Sequence, residues 1–189
     1  MNVTKDKISS VFFQYSIPSV LGMLAISSAN IVDGFFVGNY VGDFGLAAIN
    51  ISLPIFSLLF GFALMLAIGG SVIAGKLIGE EDIKNASIIF TKTIVCITFF
   101  SFIACTLLFL NIETVLYLFG ADEDLTKIAI EYLSIMLIFI PFLMIGVVLD
   151  YFVRVDNRPN LAFVALLSSA VINVILDWFL IVYLQKGIF

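Results

Sequence analysis

Residues 44–75 form an unbroken run of 32 residues without one charged side chain. A helix at a water-exposed surface keeps a polar face, so a run of this length belongs in lipid. Four further uncharged runs follow the same logic: residues 11–32 (22 residues), 93–112 (20), 132–149 (18) and 159–176 (18), the last resuming after Asp177 as 178–185. A helix that crosses a bilayer needs about 20 apolar residues. The chain therefore reads as five transmembrane helices, approximately 11–38, 46–75, 90–112, 130–150 and 159–185. The second run exceeds one upright span and implies a tilted helix or a helix with a lead-in. A transmembrane barrel would alternate in segments of about ten residues, and these runs do not alternate. The first run is too long for the core of a cleaved signal peptide, and it continues past Asp33 into Phe35, Phe36 and Val37. The expected fold class is all-α, a polytopic membrane helical bundle.

Composition narrows the function classes. Charged residues make up 12% of the 189, against about 25% in a soluble domain. Too little polar surface remains to cover a water-exposed globule. A soluble enzyme, a nucleic-acid-binding module and a disordered chain are each excluded on that ground, and the net charge of −5 also opposes nucleic acid. The bilayer is the first expected partner. No catalytic residues, metal ligands or cofactor are expected. Cys96 and Cys105 fall on opposite faces of a helix, so they do not pair and serve as small apolar residues. The chain has no His, which leaves carboxylates as the only groups able to carry protons near neutral pH.

The Lys and Arg residues divide unequally between alternate loops. Lys5, Lys7, Lys76, Lys84, Lys92, Arg154 and Arg158 fall on one side, and Lys127 and Lys186 on the other. The positive-inside bias places the N-terminus in the cytoplasm of a cell-membrane protein. Asp122, Glu123 and Asp124 then form a solvated external loop. Pro18, Pro54 and Pro141 interrupt spans and read as fixed kinks. Ser71, Gly75 and Gly79 form a ladder of small residues that admits a close neighbouring helix.

Two acids stand inside spans. Asp177 is enclosed by Val174, Ile175, Leu176 and Trp178, Phe179, Leu180, while Asp33 is bracketed by Ile31, Val32, Phe35 and Phe36. A carboxylate in hydrocarbon costs about 2.5–3.5 kcal/mol by insertion scales, so it faces a polar interior and marks an ion or proton pathway. The first and fifth helices run in the same direction. Asp33 lies 22 residues beyond Val11 and Asp177 lies 18 beyond Pro159, which sets both in the outer half of the bilayer at comparable depth. Each has an amide on its own face: Asn173 at i,i+4 from Asp177, and Asn30 at i,i+3 from Asp33. An amide can donate to a carboxylate or offer its carbonyl to a cation. Proton and cation then compete for the same oxygens, which is the chemistry of an antiporter.

The stretch IPSVLGMLAISSANIVDGFFVGNYVGDFGLAAINISLPIFSL, followed by GGSVIAGKLIGEED, FGADEDLTKIAIEYLSI and RVDNRPNLAFVALLSSAVINVILDWFLI, resembles the MATE (multidrug and toxic compound extrusion) family along essentially the whole chain. The resemblance implies twelve helices in two six-helix lobes, a repeat logic common among transporters. It also implies export of organic, often cationic compounds in exchange for protons or sodium ions. On that pattern Asp33 matches a first-helix acid implicated in coupling, and Asn173 and Asp177 match the amide and acid of the fifth helix. Pro18 matches a first-helix proline proposed as a bending switch. Asn157 stands where the family commonly has Gly.

The expected function is thus the N-terminal part of a cation-coupled multidrug exporter, with Asp33, Asn173 and Asp177 as the ion-coupling or substrate-binding residues. The expected fold is the N-lobe of such a transporter without its sixth helix. A C-terminal lobe carried elsewhere is the implied partner, since LQKGIF stands about where a sixth helix would begin. Two alternatives are a lipid-linked saccharide flippase of the same superfamily and a truncated or structural membrane protein without transport activity. A flippase would be expected to line its cavity with Arg for phosphate, whereas Arg154 and Arg158 fall in a cytoplasmic loop.

Overall fold

A computed structural model describes residues 8–40 and 43–183, apart from the side chains of residues 43, 44 and 182. Lys5, Lys7 and Lys186, which enter the orientation argument, lie outside the described residues, as do residues 184 and 185 of the expected fifth span. The elements are helices α1 (Ile8–Tyr40), α2 (Asp43–Gly79), α3 (Ile83–Leu110), α4 (Ile112–Leu118), α5 (Glu123–Val155) and α6 (Pro159–Asp177), which continues as a π-helical turn, Trp178–Tyr183. Five of these are long and apolar enough to span a membrane: α1, α2, α3, α5 and α6 with the first part of its π turn. The chain is all-α among the described residues. The second uncharged run is one helix of 37 residues, about 55 Å long at 1.5 Å per residue.

The helices outrun their apolar runs because polar residues cap them outside the hydrocarbon. Asp82 Oδ1 accepts from the Asn85 N–H at 3.2 Å and starts α3 well before the uncharged run at Thr93. Asp122 Oδ1 accepts from the Leu125 N–H at 2.8 Å and starts α5. The acids read as an external loop are therefore an N-cap and first helical turn, where negative charge complements the helix dipole. α4, absent from the expected spans, is a short helix that follows α3 directly.

Three helices end on a left-handed residue: Glu81 (φ 62°), Gly120 (φ 92°) and Asn157 (φ 58°). Each is followed by an N–H that reaches back five residues, from Asp82 to Leu77 O, Ala121 to Leu116 O and Arg158 to Val153 O. This closes the helix with the six-to-one bond of a Schellman motif. Asn157 thus adopts the conformation for which Gly is the usual residue, and Asn is the side chain that tolerates it best.

Packing divides the helices into two groups. α2 packs against α5 and α3, and α3 against α5. α2 contributes a stripe of mostly small residues, including Ala48, Ser52, Ala63, Ala67, Ser71 and Ala74. α5 contributes large ones: Leu133, Leu137, Ile140, Met144, Val148 and Phe152. Small against large brings the helix axes close and fills the gap, the main source of helix association where lipid supplies no hydrophobic drive. Of the small-residue ladder read from sequence, Ser71 is buried and Gly75 sits beneath Val155, while Gly79 faces open space. The buried hydroxyls of Ser52, Thr93 and Ser101 donate to carbonyls of their own helices. The second group is α1 with α6, which run side by side and bury only small or branched residues, among them Gly22, Ala29, Ala162 and Ala170. Contacts between the two groups are sparse by comparison.

Candidate functional site

The α1–α6 pairing brings the two span acids to one place. Asp33 lies seven residues before the end of α1, and Asp177 is the last residue of α6 before the π turn. Both are half-buried. The Asp33 carboxylate lies within electrostatic reach of Asp177 and of the Tyr132 hydroxyl, which α5 supplies from the other helix group. Tyr132 stands nine residues into α5 and its ring packs edge-on against Phe56 of α2, centroids 6.5 Å apart. The three oxygen-bearing groups therefore meet where the pair α1–α6 faces α5.

Asp177 Oδ2 is buried and has no hydrogen-bond partner among the described residues. Asn173 and Asn30 are exposed, so Asn173 does not satisfy that oxygen. The geometry thus gathers Asp33, Asp177 and Tyr132, and leaves Asn173 on the same helix turned to a more open surface. Two carboxylates in each other's field gain from a shared proton or cation between them, and an unpartnered buried oxygen has a place for either. Among the described residues no group of three or more His, Cys, Asp or Glu side chains is arranged to hold a metal ion.

Tyr132 was not singled out in the sequence. Depth was the signal that could have found it. Counted from the end of α1 and the start of α5, Asp33 and Tyr132 lie roughly 10 and 14 Å along their helices.

At the opposite end of the same helices lies a second polar cluster. Arg154 of α5 grips Asp150 one turn earlier, Nε to Oδ2 at 3.0 Å and Nη2 to Oδ1 at 3.1 Å, with both side chains about four-fifths buried. Its Nη1 donates to Ser19 Oγ on α1. The Tyr15 hydroxyl donates to Asn157 Oδ1 at 2.6 Å. Arg158 pairs with Asp156 at 3.2 Å on the surface. Both arginines are thus engaged by carboxylates.

The comparisons with known proteins agree with this architecture. The MatE family model matches residues 18–179. The multidrug export protein MepA of Staphylococcus saprophyticus is 29% identical over 177 residues, covering 92% of this chain and 39% of the relative. MepA of Staphylococcus aureus strain N315 is 23% identical over 182 residues, with 94% and 39% covered. The chain thus spans about 39% of the length of the curated relatives it matches. Among solved structures, MATE in complex with MaD3S superposes with a TM-score of 0.93 at 22% identity, covering 99% of this chain and 42% of that one. An outward-facing multidrug resistance MATE family transporter of the MOP superfamily superposes at 0.87 with 24% identity, covering 93% and 39%. These two likenesses establish the fold. With the family model matching most of its length, the chain is a multi-pass membrane protein that belongs to the MatE family.

Proposed function

We propose that this chain forms the N-terminal part of a multidrug exporter that moves organic, often cationic compounds out of the cell by exchange for protons or sodium ions. The observation that carries this reading is the pair of half-buried carboxylates, Asp33 and Asp177, one with an oxygen left without a partner. Such a pair binds a proton or cation and discharges it when the helices around it move apart. A ligand shifts that equilibrium by its differential affinity for the two forms. Asn173, one turn before Asp177, is placed to offer its carbonyl to the ion when the outer half of α6 turns toward the cleft. The substrate, the coupling ion and the complementary lobe belong to the same proposal, as does the cytoplasmic N-terminus.

The engagement of Arg154 and Arg158 by Asp150 and Asp156 supports the exporter over a lipid-linked saccharide flippase, which needs free guanidinium groups for phosphate. The test is dye accumulation in cells expressing the protein that carries this sequence. Asp33→Asn and Asp177→Asn are each expected to raise steady-state ethidium accumulation to the level of cells without the protein. Undiminished efflux in both variants would remove the site assignment. An imposed proton or sodium gradient, applied one at a time to membrane vesicles, identifies the coupling ion.

A further inference from the structure

Among the described residues, the two side-chain hydrogen bonds that join segments far apart in sequence, Tyr15 to Asn157 and Arg154 to Ser19, lie at the same end of the bundle. That end is the one away from the carboxylates. Both bonds fasten α1 to residues at or just beyond the end of α5. Tyr15 and Ser19 also straddle Pro18. Proline removes a backbone donor and its ring presses on the carbonyl four residues earlier, so α1 is weakest there. Ser19 Oγ, while accepting from Arg154, donates to the Tyr15 carbonyl at 2.7 Å. One hydroxyl thus ties Arg154 to the backbone on the far side of the break. The fork of Asp150 sets the guanidinium in place, and the left-handed Asn157 aims its amide oxygen from the Schellman turn.

We propose that Arg154, Asp150, Ser19, Tyr15 and Asn157 form a latch that holds the end of the α1–α6 pair against α5, and that the pair separates from the α2–α3–α5 group at this end when the latch opens. Three facts point to a latch and not to general packing. The two groups share few other contacts, the tie is polar and therefore geometry-dependent, and it attaches on both sides of the one proline in α1. As the inner closure of an alternating-access cycle the latch rests on the exporter reading. The distance measurement that tests it involves no transport, so absence of efflux would count against that reading alone.

The experiment is a double electron–electron resonance measurement on the chain in lipid bilayers, with Cys96→Ala and Cys105→Ala removing the native thiols. Spin labels at Phe12→Cys and Lys76→Cys, both exposed positions, report the separation of α1 from α2. Labels at Lys76→Cys and Asp156→Cys report distances within the α2–α3–α5 group. Tyr15→Phe with Ser19→Ala is expected to broaden the Phe12–Lys76 distribution at least twofold and add a longer component, leaving the Lys76–Asp156 distribution unchanged. An unchanged Phe12–Lys76 distribution would overturn the latch. Equal broadening of both pairs would overturn it too, by making the network ordinary structural support.

Discussion

The α2–α3–α5 group and the α1–α6 pair have similar composition and opposite construction. About a third of the α5 span is buried, against 11% for α6 and 17% for α1. In the first group large side chains seat on a stripe of small ones, and the buried hydroxyls are satisfied within their own helices. In the second, small residues touch, and both span acids lie there, one of them with an unsatisfied oxygen. Lipid supplies no hydrophobic drive between helices, so van der Waals fit decides which helices hold together. The well-fitted group can act as a frame, and the loosely fitted pair can carry the charge that has to change state.

The contrast breaks most readily at Met144, fully buried on α5. Met144→Ala is expected to cost about 2–3 kcal/mol, since the cavity term survives where the transfer term fades. Its check is thermal unfolding in detergent, with the equally apolar but exposed Leu176→Ala of α6 expected to cost little. The next effect is at Gly70. A Cβ there would meet the Thr93 hydroxyl and methyl, the methyl at 3.0 Å, and the Phe152 ring at 3.2 Å. Thr93 is branched and bonded to the Ile89 carbonyl, so it cannot retreat. Gly70→Ala should destabilise by about 1–3 kcal/mol.

Asp177→Asn tests the other side. Replacing a buried, unpartnered carboxylate by its neutral isostere should raise stability by about 1 kcal/mol while ethidium efflux is lost, the usual opposition of stability and function at a working site. An equal fall in stability and efflux would move Asp177 into the frame. Gly22→Ala is the smallest. The added Cβ would come within 2.9 Å of Leu166 Cδ1, the free end of a flexible side chain. Its displacement and the gain in helix propensity should nearly cancel, within about 0.5 kcal/mol. A cost as large as that of Gly70→Ala would show the α1–α6 seam to be as tight as the frame.

The spans were legible because charge in hydrocarbon is costly, and uncharged runs stand out. Helix ends were less so: α3 and α5 start at Asp82 and Asp122, outside the apolar runs, on caps that look like loop acids. The partition into two groups was not legible, because in lipid an apolar face that packs and one that meets acyl chains have the same composition. Only Ser71 and Gly75 hinted at the α2 stripe. Asp33 and Asp177 were visible for the reason the spans were. Tyr132 was not, since a tyrosine near a membrane surface is common in any helix of this kind. Arg154 was counted toward orientation, and its grip on α1 depends on a contact 135 residues away in the chain.

The π-helical turn from Trp178 to Tyr183 begins at the residue after Asp177. A π turn holds one residue more than the α-helical turn it replaces. Loss of one residue between 178 and 183 would return the helix to α geometry, leave Asp177 and everything before it in place, and rotate all that follows by about 100°. The turn is therefore a point where the chain's length and the bearing of whatever follows can be altered in a single evolutionary step, with the acid itself undisturbed.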